Sequence, residues 1–446
     1  MPMVARVRAF AGVVLVLIRA VAVLAGRVHG GPGKPARGEQ NAQKEVVGAE
    51  DTVAGKVMAA GWGMSANGRR VFMQGREPVI IRDGRFSFSR VPATYDVWVA
   101  NPRGDTISIY QGLTRRDPVL WYTIGYESAL DDPPHRATIK GILRGDFPFP
   151  VERGYLVNLY YSADRAKGVL QVGHFAESGG PRFGPMKLAW EGEPSVSGLL
   201  VALGEHATKD KRWVDAFLAS KPLAVAAGDE ARAELRLVPV STGRIAGAID
   251  TYHLDLVREI YFGYHIPNTS GEIGIGTCPV LKTFDCELPD LGSLGGEYCA
   301  TINFTYFDTT GMARKCGGKI GMTDFSFHVE PPPRFQARGK FSTVTRDAVL
   351  SWTDAGKGVY LVDLGPELRS PSMPHVQVLT AATQIHWPDF EALGVKVPVG
   401  AKYRCRVSRL SPYTSVDDLA SWRGLFPTAT DFQQVDSNPI AVTVVE

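Results

Sequence analysis

The first 277 residues contain no cysteine, and the whole 446-residue chain contains only five. That absence excludes thiolate metal centres from more than half of the chain. It also excludes a lipid-modified cysteine behind the N-terminal apolar segment. Catalytic signatures are missing too. There is no H-E-x-x-H and no phosphate-binding loop. The nearest approach to a hydrolase elbow, "GMSAN" at 63–67, lacks its second glycine and sits in a hairpin context. Charge of one sign is scarce. The formal charge is +3, and it falls to zero once Arg6, Arg8 and Arg19 are removed with residues 1–25. A chain so balanced has no overall basic excess to attract nucleic acid or an anionic membrane.

What stands at the N-terminus reads as a targeting segment. Arg6 and Arg8 precede the apolar run "AFAGVVLVLI" (9–18), and Val23 and Ala25 occupy the −3 and −1 positions of a small-residue cleavage site. Arg19 interrupts the run short of the ~20 residues a spanning helix needs. The expectation is a signal peptide over 1–25, with an uncleaved anchor as the alternative, and a flexible Gly-rich linker over 26–47. An exported protein of the secreted, periplasmic or cell-surface class follows, with no stable transmembrane domain after cleavage.

The remaining chain is long enough for three or four domains of about 100–150 residues, and its pattern is that of strands. In "DGRFSFSRVPATYDVWV" (83–99) Phe86 and Phe88 share one strand face after an Asp-Gly turn. Val91-Pro92 ends that strand. Tyr95, Val97 and Val99 then point one way, with Trp98 on the other face. "VAGKV" (53–57) returns as "IKGIL" (139–143) and "IAGAI" (245–249), each after a polar joint. After the third, Phe284, Cys286, Leu288-Pro289 and Tyr298 repeat the order of Phe86, Phe88, Val91-Pro92 and Tyr95. One helical patch interrupts the strands: "KDKRWVDAFLAS" (209–220), where Trp213 and Phe217 at i,i+4 imply an amphipathic turn or two. The fold class expected is all-β, tandem β-sandwich domains with short helical insertions.

This series resembles the carboxypeptidase regulatory-like, or transthyretin-like, sandwich over 48–130. The match is partial over 241–333 and confined to the opening glycine strand and closing pair over 135–240. The last segment, 334–446, is similar to a fibronectin type III domain: Trp352 falls at that family's second-strand Trp and Tyr403 at its Tyr-x-x-x-Val strand. "VEPPPRF" (329–335) is the joint before it, and the insertion at 415–432 departs from the family pattern. The resemblance implies non-catalytic modules of secreted proteins, without a zinc site and without peptidase activity. It also implies that 334–446 folds alone, as a sandwich with its own two-sheet core.

Four of the five cysteines lie between 278 and 316. Exported chains meet an oxidising compartment. Of the three connectivities, Cys278–Cys286 with Cys299–Cys316 is favoured, because each pair flanks a hairpin; reduced structural thiols and a zinc site, the latter without C-x-x-C spacing to support it, are the alternatives. Cys405 alternates inward on a strand as a buried free thiol. His253 and His265 can meet across a hairpin, and Asp131 and Asp132 lie in a joint, but neither pair completes a metal set. No catalytic, cofactor or metal residues are assigned. Trp62 and Trp422 remain as aromatic loop candidates for ligand contact. The function class left is a non-catalytic binding, adhesion or scaffolding protein whose partner is a protein or glycan of the cell surface or envelope. A carbohydrate-binding accessory protein and an enzyme with its site at a module junction are the alternatives.

Overall fold

The recurring apolar-x-Gly-x-apolar strand has a physical reason that the computed structural model makes visible. Gly55 pairs with Phe86, Gly141 with Phe183 and Gly247 with Phe284, each across an antiparallel pair. In all three the phenylalanine ring lies over the glycine. A Cβ added at Gly55, Gly141 or Gly247 would stand 2.4, 2.7 or 2.9 Å from the ring's Cζ. On the other side the Ala233 carbonyl of the parallel strand would stand 1.8 Å from such a Cβ at Gly141, and the Phe325 carbonyl, just before the parallel strand Phe327–Val329, 2.2 Å from one at Gly247. Only glycine leaves room for both neighbours, and the ring replaces the packing that glycine lacks.

Around this element three seven-stranded sandwiches are built. The structure describes residues 52–60, 67–123, 135–147, 155–163, 172–175, 181–206, 213, 215–251, 259–306, 309–336, 341–421 and 431–445, apart from a few isolated positions within these spans. In the first sandwich the three-stranded sheet runs Arg85–Phe88, Val53–Ala60, Val119–Thr123, and the four-stranded one Val79–Ile80, Arg70–Phe72, Tyr95–Ala100, Thr106–Leu113. The third repeats this order with Thr283–Pro289, Thr242–Thr251, Phe327–Val329 and with Glu272–Pro279, Glu259–His265, Glu297–Tyr306, Thr309–Gly318. The second has Arg182–Trp190, His135–Gly145, Glu230–Val240 opposite Val172–Phe175, Tyr155–Ala163, Ser195–His206, Asp215–Ala226. There the two sheets also join, through pairing of 216–218 with 238–240.

The expected helical turn at 209–220 is corrected in part: residues 215–220 belong to the strand Asp215–Ala226. Ala216 and Leu218 face the core shared with the third sandwich, while Phe217 and Ala219 face the second sandwich's own core. A strand buried on both faces reads as a continuous apolar run, which imitates a helical pattern. Residues 207–212 lie outside the described residues. The signal segment 1–25, the linker 26–47, the Asp131–Asp132 joint and His253 lie outside them too.

The last segment is a sandwich of different order. Its larger sheet runs from Phe432–Asp436 through Lys402–Ser411 and Val359–Pro366 to His375–Thr380; Val349–Ser351 pairs with Gln384–His386, and Phe341–Val344 with Ile440–Val444. Trp352, Tyr360, Trp387 and Tyr403 fill its core, with Trp352–Tyr360 and Trp387–Tyr403 rings 5.4 Å apart in edge-on contact. Both edges of that larger sheet are occupied. Thr309–Gly318 of the third sandwich pairs with Phe432–Asp436, and Thr106–Leu113 of the first pairs with His375–Thr380. The result is one continuous fourteen-stranded sheet. It forms a shared wall: Ala100, Ile107 and Ile109 of the first sandwich lie in the last sandwich's core, and Leu410, Tyr413, Val416 and Leu419 lie in the first one's. Within the third sandwich Cys278 is bonded to Cys286 and Cys299 to Cys316, and Cys405 is a buried free thiol.

Candidate functional site

Two clusters of polar groups lie where sandwiches meet. At the first junction the backbone N–H of His375 donates to the Asp105 carbonyl at 2.9 Å, and Arg369 Nε donates to the same oxygen at 3.2 Å. His375 Nε2 lies 2.7 Å from Asp363 Oδ1, a half-buried pair, and Gln377 Nε2 donates to that carboxylate at 3.3 Å. Burial alone would lower the His375 pKa, but the Asp363 charge and hydrogen bond overcome it and hold it above 6.5. Burial opposes ionisation of Asp363, yet His375, Gln377 and Arg406 keep its pKa below the usual value. Past the other end of Thr106–Leu113 the helical turn Val416–Leu419, capped by a reciprocal Ser415–Asp418 box, presents Asp417 to the first sandwich. Asp417 accepts from the backbone N–H groups of Thr114 and Arg115 at 3.0 and 3.1 Å and from the Thr114 hydroxyl.

The second junction is built from acid–arginine pairs. Asp436, which is buried, accepts from Thr310 Oγ1 at 2.8 Å, Ser408 Oγ at 2.7 Å, Arg406 Nη1 at 3.3 Å and Gln434 Nε2 at 3.1 Å. Arg409, almost wholly buried, pairs with Glu330 at 3.0 Å, and that hydrogen bond lowers the Glu330 pKa. Asp431 accepts from the backbone N–H of Cys316 at 2.9 Å, so the Cys299–Cys316 bridge abuts this junction.

These clusters join strands. Nucleophilic catalysis needs a Ser or Cys hydrogen-bonded to a base that a third group orients. Among the described residues no serine or cysteine makes such a bond to His375. Burial, with the Asp363 charge adding to it, pushes the Cys405 thiol far up, which keeps it protonated and inert. Glu297, Cys299 and Cys316 bring ligand atoms within 4.8 Å of one another, but the two sulfurs are bonded together and offer no thiolate.

Trp62 and Trp422 lie outside the described residues, as do positions 63–66 of "GMSAN". Asn67, at the end of that stretch, accepts from the Gly84 N–H at 3.3 Å and ties it to the Asp-Gly turn. His265 is buried on the third sandwich. Conversely, no sequence pattern marks His375, Asp363 or Asp436 as functional. Only Asp417 had a local signal, the "SVDD" capping pattern at 415–418.

The outer faces of the three-stranded sheets also differ. That of the second sandwich carries Arg and Lys on all three strands, with Glu230 and Glu234 the acidic residues on those strands' outward positions. That of the third carries Arg244 against Asp250, Asp285 and Glu287, with Arg244 and Asp285 2.7 Å apart.

No protein-family model matches the chain, and no curated protein matches it either. Among solved structures it is similar to the fimbrial anchor protein Mfa2 from Porphyromonas gingivalis, at 9% identity over 37% of this chain and 77% of that one, TM-score 0.17. A candidate adhesin from Bacteroides ovatus aligns at 11% identity over 45% of this chain and 90% of that one, TM-score 0.16. The Bacillus anthracis TIE protein aligns at 10% identity over 82% and 70%, TM-score 0.16. Superpositions this partial carry no functional argument, which rests on the geometry of this chain.

Proposed function

We propose that the chain is an exported, non-catalytic scaffold that holds sandwich faces in fixed array for contact with a protein or glycan of the cell surface or envelope. The observation that carries this reading is the shared wall: both edges of the last sandwich's sheet are paired with a strand of another sandwich. Edge pairing with buried cores on both faces converts tandem units into a stiff body. The two disulfides favour an oxidising compartment, and no helix among the described residues is long and apolar enough to cross a membrane. The division into units at 48–130, 135–240, 241–333 and 334–446 belongs to the same proposal, as does the kinship of the first three with carboxypeptidase regulatory-like sandwiches and of the last with fibronectin type III domains. The common strand order and the Gly–Phe pairing support that kinship.

Small-angle scattering of the full chain tests the scaffold: a single rigid envelope matching the shared wall is expected, and a beads-on-a-string profile would overturn it. N-terminal sequencing of protein from its native host is expected to begin near Gly26. Turnover of a peptide, ester or glycoside, abolished by changing one polar residue, would replace the non-catalytic reading.

A further inference from the structure

The outer face of the second sandwich's three-stranded sheet is a cationic strip that the fold does not require. Ile139, Leu143, Phe183, Met186, Leu188, Leu235 and Leu237 are buried on the inner side of this sheet. Alternation therefore sends the residues between them outward. On the opening strand these include Arg136, Lys140 and Arg144; on the closing strand Arg232 and Arg236; on the edge strand Arg182 and Lys187. Lys140 stands directly beside Arg232 in the parallel register, and Arg144 beside Arg236. Like charges opposite one another on neighbouring strands are unfavourable. Two carboxylates relieve part of this: Lys140 pairs with Glu230 at 2.5 Å and Arg144 with Glu234 at 2.7 Å. Arg182, Lys187, Arg232 and Arg236 are exposed, and Arg232 shares the field of the Glu230 carboxylate with Lys140.

The third sandwich is an internal control. It has the same strand order and the same Gly–Phe pairing, yet its corresponding face carries Asp250, Asp285 and Glu287 with one arginine and His328, which pairs with Asp250. The same plan therefore folds without cation rows in the third sandwich, and the first sandwich has a single such pair on this face, Lys56 opposite Arg85.

We propose that this strip is the docking surface for a linear anionic polysaccharide, one bearing carboxylate or sulfate groups along its length. This deepens the scaffold reading by naming the class of partner. From Arg136 to Arg144 the strip runs about 27 Å along the strands, with cation rows about 4.8 Å apart across them, a length suited to an extended polymer. Five of its seven cations are arginines, whose planar forks bind carboxylate and sulfate oxygens in bidentate fashion. The outward positions carry no aromatic ring to stack a base. A three-stranded sheet face is wider than the two-stranded ribbon that the DNA major groove admits. Ile142 and Val238 supply too little apolar surface for a lipid interface.

The test uses the full chain with defined probes: polygalacturonate, dextran sulfate, neutral dextran, double-stranded DNA and phosphatidylglycerol vesicles. Expected are binding to at least one of the two acidic polymers, none to neutral dextran, and affinity that falls as salt rises. The double variant Arg232→Glu/Arg236→Glu should lose at least tenfold in affinity with unchanged circular dichroism and melting temperature. Asp285→Lys on the third sandwich should leave binding no weaker. Undiminished binding by the double variant overturns the proposal, and so does binding to neither polymer. Tighter binding to DNA or vesicles reassigns the strip to another class of partner and equally overturns it. If the double variant unfolds, Arg182→Ser/Lys187→Ser on the edge strand supplies the same readout. Scattering decides the scaffold reading separately, because a rigid envelope without polymer binding sinks this inference alone.

Discussion

The last sandwich meets its two neighbours through the same strand of each, the sixth, but in opposite senses. Thr106–Leu113 of the first sandwich joins in parallel, and Thr309–Gly318 of the third joins antiparallel. The reason lies in the sheet between them. Its four strands alternate in direction from Phe432–Asp436 to His375–Thr380, so its two edges run oppositely. The two sixth strands run the same way, so the first and third sandwiches are placed on the wall in the same sense. One junction then has to be parallel. Parallel pairing is slightly weaker per residue, and it is this junction that gains the Asp417 clamp and the His375–Asp363 pair. The antiparallel junction relies instead on buried Asp436 and on Arg409–Glu330. Identical strand order therefore leaves each junction's chemistry to be set by its edge.

The largest effect expected is on the antiparallel side. Replacing Cys299 and Cys316 by serine removes the bridge that abuts Asp431 and should cost about 2–5 kcal/mol. Hydrogen exchange in Thr309–Gly318 should rise while that in Thr106–Leu113 stays as it was. Equal loosening of both strands would show that the junctions are one cooperative unit. Next comes Asp436→Ala, which leaves the buried Ser408 hydroxyl without its acceptor and Arg406 without its carboxylate. A loss of about 2–4 kcal/mol is expected from urea denaturation of the full chain, again confined to the antiparallel junction. Asp417→Ala, at an exposed clamp, should cost about 1 kcal/mol and open only the parallel junction. A loss as large as that of Asp436→Ala would erase the ranking of the two.

Much of each sandwich was readable before the structure, and almost none of the wall. Alternation and the Asp-Gly turn exposed Phe86 and Phe88 as inward residues, and the echo at Phe284 and Cys286 placed the third sandwich in register. The second sandwich was harder. Its ring partner Phe183 precedes a register shift between Phe183 and Met186, which breaks the period of two that sequence reading depends on. Its strand Asp215–Ala226 imitated a helix because a core lies on either side. The junctions had no local signature at all: Thr106 and His375 are paired across the chain, and neither segment carries a motif that names the other. The cationic strip was hidden in a net charge near zero, since only strand alternation in the folded sheet collects Arg182, Arg232 and Arg236 on one face.

The smallest expected effect distinguishes the junctions by pH. Asp363 holds the His375 pKa above 6.5, while His375 and its neighbours hold the Asp363 pKa below 3.8. A histidine with a raised folded pKa stabilises fully below its unfolded value and loses that contribution as pH rises through the folded value. A carboxylate with a lowered folded pKa stabilises above its unfolded value and loses the contribution as pH falls through the folded one. The pair therefore contributes most between about pH 4 and pH 6.5, with the neutral-side loss following His375. Arg369 works against the raised pKa and Asp105 with it. Exchange in Thr106–Leu113 and His375–Thr380, corrected for the intrinsic rate, should thus be slower near pH 5.5 than near pH 8. Thr309–Gly318, held by carboxylate–arginine pairs, should show no such difference. His375→Gln keeps a donor beside Asp363 but cannot titrate, so its parallel junction should respond to pH no more than the antiparallel one. Equal pH dependence in this variant and the parent would assign the response to some other group and remove the chemical distinction between the two edges.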